Sequence, residues 1–332
     1  MRVAIAGGTS PTLGASLIDA LLATGGRYVP VILSRGKVAT WSPKMHQNGV
    51  EVRQVDYHSH ASLVAALNDV EVVLSVLLIP GPDWVTAQVN LLHAAEEAGC
   101  RRFAPSEFAL SAASQSKVDI LKAKNEVWNE VQASVDQGRI DAARFPCGMF
   151  MNYLGIGCPD GENRVKALAG FQEGPYMIYL DRQPSWVEVP IRADGTTPSL
   201  SMTDIRDVGK FVVAALDLQE PWAGRELGFS GDTLSFDELV SLCEKHTGRA
   251  VEARRVTTDE LKSRLSSVSP DEFIKRMEIQ LSIVCARDGS VVEPTLNSMS
   301  SVNPTTVDKY LQHYWGPCMD DRNDTHGAQH PF

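Results

Sequence analysis

A chain of 332 residues with 43% hydrophobic and 22% charged content has the composition of a globular protein, large enough for one big core or two modest ones. Its 41 acidic against 31 basic residues leave a net charge of −10, which argues against a nucleic-acid partner, since that affinity comes largely from Lys and Arg neutralising phosphates. The longest apolar run, Val72 to Pro80, is interrupted by Ser75 and far too short to cross a bilayer, so no membrane partner is expected.

Arg2 leads straight into Val3-Ala4-Ile5-Ala6, a buried-strand pattern with no leader before it, and a cytoplasmic location is expected. Gly7-Gly8-Thr9-Ser10-Pro11-Thr12-Leu13-Gly14 follows, then a helix over Ala15 to Ala23 with Leu17, Leu21 and Leu22 on one face. Strand, glycine-rich turn and helix is the context in which bare backbone and a helix N-terminus bind a pyrophosphate. The loop departs from the usual G-x-G-x-x-G and G-x-x-G-x-x-G forms: Ser10 stands where a glycine is expected, Pro11 follows, and the loop is one residue longer. By itself it reads equally as a structural turn.

Tyr28 to Leu33 is a second strand, ending at Ser34-Arg35-Gly36-Lys37. An NAD-selective site carries Asp or Glu at this point; Arg35, with Lys37 and Lys44 nearby, suits a 2′-phosphate, and a solvated arginine is the plain alternative. Val50 to Val55 is a third strand ending at Asp56, and Ala61 to Leu67 a short helix. Val70 to Leu77 is a nearly all-apolar fourth strand, followed by a helix from Trp84 to Ala98 and a fifth strand over Arg101 to Ala104. Such alternation predicts a doubly wound parallel sheet, with ligands outside the carboxyl ends of its strands. Gly7 to Leu13, Arg35, Asp56, Leu77 to Pro80 and Ser106 to Phe108 all fall on that edge.

Ile140 to Phe145 is the sixth strand, and beyond it the alternation blurs. Gly155 to Trp186 carries scattered glycines and prolines with Phe171, Tyr176, Tyr179 and Trp186. Ile205 to Leu216 is a helix and Leu227 to Ser230 a strand. Ser235 with Glu238 forms a capping box, Ala250 to Val256 is a strand, and Thr257 with Glu260 opens another helix. Ser269-Pro270-Asp271-Glu272 reads as a further helix start, Asp308 to Tyr314 as a terminal helix, and Gly316 to Phe332 as a loose tail. The six cysteines, at 100, 147, 158, 243, 285 and 318, contain no C-x-x-C pair and read as free thiols of a reducing compartment. Cys318, His326 and His330 lack a fourth ligand and a rigid frame, so no metal is expected.

Several blocks together resemble the NmrA-like, isoflavone-reductase-like family of atypical short-chain dehydrogenases/reductases, in its fungal branch. They are Ala4 to Thr9 with Gly14, Arg35, Gln88, and Ala98-Gly99-Cys100-Arg101-Arg102-Phe103-Ala104-Pro105-Ser106-Glu107-Phe108. Pro146 to Leu154 and Asp204-Ile205-Arg206-Asp207-Val208-Gly209 complete the set, and the likeness runs from about residue 1 to 315. The resemblance implies a Rossmann-type sheet with a smaller α/β substrate domain. Residues 1–155, with 190–216 returning, would form the cofactor part; 156–189 and 217–316 would form the substrate part; 317–332 would be tail. It implies an NADP(H)-dependent reductase of secondary metabolism, with Gly7, Gly8, Thr9, Ser10, Pro11, Thr12, Leu13, Arg35, Lys37, Asp56, Leu77, Ser106, Glu107, Phe108, Lys124 and Pro146 at the cofactor.

In reductases of this family the catalytic group is a lysine on the helix after the PSEF block, followed in the plant enzymes by branched apolar residues three and seven positions on. Lys124, Val127 and Val131 match that spacing, whereas Lys122 has Asn125 three positions later. No tyrosine is followed by a lysine four residues on, so the pair used by ordinary short-chain dehydrogenases is absent. Met149, Phe150, Tyr153, Tyr176 and Trp186 are the candidate lining for a small hydrophobic aromatic or alkaloid substrate, with core packing as the plain alternative. Two further functions stay open: a redox-assisted cyclisation at the same cofactor site, and a non-enzymatic NADP(H)-sensing regulator. A homodimer is compatible with any of them.

Overall fold

The computed structural model describes residues 1–36, 50–79, 81 and 83–316. The candidate Lys37 and the tail residues Cys318, His326 and His330 lie outside them. The chain opens with β1 (Arg2–Ala6), α1 (Leu13–Leu22), β2 (Val29–Ser34), β3 (Glu51–Gln54), α2 (His60–Leu67), β4 (Val72–Ser75), α3 (Asp83–Glu97) and β5 (Arg102–Ala104). A short helix α4 (Ala112–Gln115) and a 3-10 turn (Asp119–Leu121) lead into α5 (Lys122–Asp136) and β6 (Asp141–Arg144).

With a later strand, β11 (Arg225–Glu226), these strands form one seven-stranded sheet in the order β11-β6-β5-β4-β1-β2-β3, every neighbouring pair parallel. The order reverses between β1 and β4, which makes the carboxyl end of β1 the switch point of a doubly wound fold. Its inner strands β1, β2 and β4 are largely apolar and buried because both faces are covered. In β1, Val3 and Ile5 enter a core with α1, while Ala4 and Ala6 enter a second core beneath α2, α3 and α5.

After β6 come β7 (Met149–Phe150), a 3-10 turn (Met151–Gly155), α6 (Gly161–Leu168), β8 (Ile178–Tyr179), β9 (Ser185–Ile191) and β10 (Ser199–Thr203). Then follow α7 (Ile205–Asp217), β11, β12 (Asp232–Ser235), α8 (Phe236–Thr247), β13 (Val251–Thr257), α9 (Thr258–Ser267), α10 (Phe273–Cys285), α11 (Thr295–Met299) and α12 (Val307–Trp315). Two small sheets, β12-β10-β7 and β13-β9-β8, share a third core with α8 and α12. Helix α7 returns to the large sheet: Asp204 caps it by accepting from the Arg206 N–H at 3.0 Å, and the Gly209 N–H donates to Ser16 Oγ of α1 at 2.9 Å.

The second half of the chain departs from the sequence expectations in three places. The strand expected over Leu227 to Ser230 is instead the two residues Arg225–Glu226. Leu227 and Phe229 still donate to Arg144 and Pro146, but Pro146 has no N–H to return, and the regular ladder stops. Trp222, Leu227 and Phe229, counted with the substrate part from sequence, pack into the core of the large sheet against Phe145. The helix expected from Ser269 begins at Phe273, because the Glu272 carboxylate folds back onto the Ser269 N–H at 3.1 Å and closes a separate turn. Both capping boxes, Ser235 with Glu238 and Thr257 with Glu260, are formed. The cysteines at 100, 147, 158, 243 and 285 are buried and unbridged.

Candidate active site

The turn after β1 is a cradle of bare backbone. Gly7 sits at φ +78°, and a Cβ there would lie 2.9 Å from the Val76 carbonyl oxygen. The loop is closed by Ser10 N–H to Gly7 O at 2.9 Å and Ala15 N–H to Ser10 O at 3.0 Å. Ser10 Oγ and Thr12 Oγ1 are 2.7 Å apart, so the serine at the glycine position braces the turn internally. Thr12, the residue before α1, gives the helix no side-chain cap, and of its first N–H groups Ala15's is taken by Ser10 O. Gly8, Thr9 and Leu13 complete the same turn. The extra Pro11 has its own contact: Gly170, at φ +80°, comes so close that a Cβ on it would lie 2.3 Å from the Pro11 carbonyl oxygen.

Arg35 follows β2 on the same edge, is exposed, and forms no ion pair among the described residues. Asp56, after β3, accepts from the His58 N–H at 2.9 Å and shapes the turn into α2. Beneath them the buried Tyr57 hydroxyl donates to Leu33 O at 3.1 Å, and burial raises its pKa. Leu77, after β4, is buried, and its carbonyl accepts Trp84 Nε1–H at 2.9 Å.

That tryptophan meets Lys124. The Lys124 ammonium donates to Ser106 O and lies 5.0 Å from the centre of the Trp84 ring. Val127 and Val131 are fully buried and seat α5 against the sheet, which is what the three-and-seven spacing after Lys124 does physically. Burial pushes the Lys124 pKa down, opposed by the nearby Glu107 and Cys147. Lys122 instead is exposed and pairs with Asp119 at 2.8 Å.

Glu107 and Phe108 turn their side chains inward. Phe108 stacks on Phe145 with ring centres 5.9 Å apart, and Glu107 is fully buried with Oε2 accepting from Gln115 Nε2 at 2.8 Å. Pro146 lines an open cleft of about 750 Å³ with Ser111, Glu226 and Glu293, and it alone among the residues singled out from sequence lies there.

The aromatic candidates divide. Phe150 meets Phe171 at 6.4 Å between ring centres, Phe171 meets Tyr153 at 4.6 Å, and Tyr153 meets Tyr176 at 6.2 Å, all edge to face. Met149, like Tyr153 and Tyr176, packs against the third core. The Tyr153 hydroxyl donates to Glu173, and that of Tyr176 to Glu278 O at 3.1 Å. Trp186 stands apart from this row. It stacks on Tyr179 at 3.7 Å under Arg254, while its strand neighbours Val187 and Val189 are fully buried on the other face. Trp84, Gln115, Cys147 and Arg144, which surround Lys124 and Glu107, carried no sequence signal of a site role, because each is brought there by a different element.

Comparison with known proteins agrees with this architecture. The NmrA-like family matches residues 1–311. Oxidoreductase BOA1 of Botryotinia fuckeliana (strain B05.10) is 30% identical over 251 residues, 75% of this chain and 76% of that protein. Eugenol synthase 1 of Petunia hybrida is 24% identical over 296 residues, 85% of this chain and 86% of its own. Among solved structures, AtPrR2 with NADP+ and (+)pinoresinol superposes with a TM-score of 0.71 at 20% identity, covering 94% of this chain and 98% of that one. With the match extending over nearly its whole folded length, from the glycine-rich turn to the terminal helix, the chain belongs to the NmrA-like family.

Proposed function

We propose that the protein is an NADP(H)-dependent reductase acting on a small aromatic or alkaloid-type metabolite, with Lys124 as its acid and base. The observation that carries this reading is Lys124 itself: a half-buried ammonium on Ser106 O, against Trp84, on the same sheet edge as an open glycine-rich turn. The names of the relatives, an oxidoreductase and a eugenol synthase among them, support the same class.

The backbone of Gly7 to Leu13 would take the pyrophosphate and Arg35 the 2′-phosphate. When bound, the reduced nicotinamide supplies a hydride. Lys124, its pKa lowered by burial, would give its proton to the oxygen or carbon that becomes negative, or remove one in the reverse direction. The row Phe150, Phe171, Tyr153 and Tyr176 would hold a flat ligand and exclude water.

Titration of the purified protein with NADPH and NADH, beside Arg35→Ala, tests the base of this reading. NADPH should bind at least tenfold more tightly than NADH, a gap of roughly 1.4 kcal/mol, and Arg35→Ala should erase most of it. Equal binding of the two cofactors by the wild type overturns the assignment.

A further inference from the structure

Helix α10 touches both halves of the proposed site. Its Glu278 carbonyl accepts the Tyr176 hydroxyl at 3.1 Å, at the end of the aromatic row. Ser282 Oγ lies 3.4 Å from the same hydroxyl and donates to Glu188 Oε1 at 3.2 Å. Between these two residues stands the buried Gln280, which reaches a different segment. The Asp119 N–H donates to Gln280 Oε1 at 2.9 Å, and Gln280 Nε2 donates to Asp119 Oδ2 at 2.5 Å. The carbonyl and the amino group of one amide are both given to one residue. That residue opens the 3-10 turn, which runs without a break into α5 and Lys124.

Asp119 has other neighbours, but they hold it differently. Lys122 pairs with Oδ1 at 2.8 Å from an exposed position, and Arg276 Nη2 lies 3.6 Å from Oδ2. Gln280 is buried, takes the backbone N–H as well as the carboxylate, and makes the second bond a charge-assisted one. Around this clasp Met277, Leu281 and Val284 of α10 pack with Leu110, Val118 and Leu121 in a small core of their own. Leu110 follows the segment whose Ser106 carbonyl accepts the Lys124 ammonium. Helix α10 therefore rests on both the turn that delivers Lys124 and the segment that receives its N–H.

Resting on the reading of Lys124 as acid and base and of the aromatic row as the substrate wall, we propose that Gln280 is a positioning residue. Through Asp119 it fixes where Lys124 stands relative to the ligand that the row holds. The spacing matters because a proton donor acts only within hydrogen-bond reach, and a misplacement of about 1 Å can cost about 10²-fold in rate. Residues 278, 280 and 282 lie within little more than one turn of one helix, so the end of the row and the turn before Lys124 are held to the same rigid element.

Competitive acetylation of the full-length, cofactor-free protein, read by peptide mass spectrometry across pH, gives the titration midpoint of Lys124. Burial holds that midpoint below that of an ordinary lysine. In Gln280→Leu the released turn should admit water to the ammonium and raise the midpoint by about one pH unit, a tenfold loss of free amine at a given pH. Lys166, exposed on α6, should stay put, and Glu107 and Cys147, the titratable groups that face Lys124, are untouched by the substitution. Gln280→Glu sets a second carboxylate against Asp119 and should raise the midpoint likewise, whereas adding Asp119→Asn returns a donor to the pair and should restore the wild-type value. A lowered melting temperature with the Lys124 midpoint unmoved marks a merely structural contact and overturns the proposal. Should Gln280→Leu fail to fold, the exchanged pair decides: no shift in Gln280→Glu, or no return in the double variant, overturns it equally. None of these measurements needs cofactor or substrate, so the reductase reading fails by a different result, an inability of the wild type to bind NADPH.

Discussion

Lys124 is held between two opposed influences, a dehydrating environment that discharges it and acidic neighbours that keep it charged. A surface lysine would stay protonated at every working pH; on the proposed reading this one moves its proton. Lys124→Ala should lower turnover by about 10²–10⁴-fold while NADPH affinity changes only a few-fold, measured by steady-state kinetics and cofactor titration. Lys122→Ala is the matched comparison. Lys122 is exposed and tied to Asp119, so its loss should leave turnover within about twofold and cost under about 1 kcal/mol of stability. Equal losses in the two variants would place the chemistry elsewhere.

At the scale of elements, helix ends carry much of the local specification. Ser235 accepts from the Glu238 N–H at 3.2 Å while the Glu238 carboxylate accepts from the Ser235 N–H at 2.8 Å, which starts α8 at one residue and no other. Ser235→Ala should cost about 1 kcal/mol in chemical denaturation. The far end of α8 docks α12: Lys245 Nζ lies 2.7 Å and His246 Nε2 2.8 Å from Asp308 Oδ1. These two partners hold the Asp308 carboxyl below its ordinary 3.8. A depressed carboxylate pKa stabilises the fold above the unfolded value, and that stabilisation is lost as pH falls through the folded value. Thermal melts in the acid range should therefore lose this contribution below pH 3.8, and Asp308→Asn should flatten the fall. Asp308 is nearly half exposed, so solvent screening keeps the difference under about 1 kcal/mol.

Across the whole molecule, the later segment meets the large sheet at the glycine-rich turn, where Gly170 abuts Pro11. This contact gives a physical role to the residue that makes the loop one longer than the usual form. Gly170→Ala must strain a positive φ and push against a backbone carbonyl, so it should cost about 1–3 kcal/mol and weaken NADPH binding through the displaced turn. Gly174, with nothing within 4 Å of where its Cβ would be, is the control, and Gly174→Ala should change neither melting temperature nor affinity. If both variants bind NADPH normally, the loop is independent of the segment that covers it.

Local pattern determined the first half of the protein. The inner strands β1, β2 and β4 are near-continuous apolar runs because both faces are buried, and the helices between strands show one apolar face each, so the alternation of strand and helix and the edge bearing Gly7, Arg35 and Ser106 followed from periodicity. Capping boxes were legible because their bonds join residues three apart. The same reading faltered after Phe150. There β9 alternates buried Ser185, Val187 and Val189 with half-exposed Trp186 and Glu188, but only over five residues, before the buried Pro190 breaks the pattern. Trp186 could not be distinguished from Tyr176 by sequence, since which face of a strand meets a cleft depends on what packs against it. Around Lys124, Glu107 was named from the sequence, whereas Trp84, Gln115, Cys147 and Arg144 were not, for the same reason. Their burial, ring contacts and hydrogen bonds exist only once the sheet and its helices have been brought together.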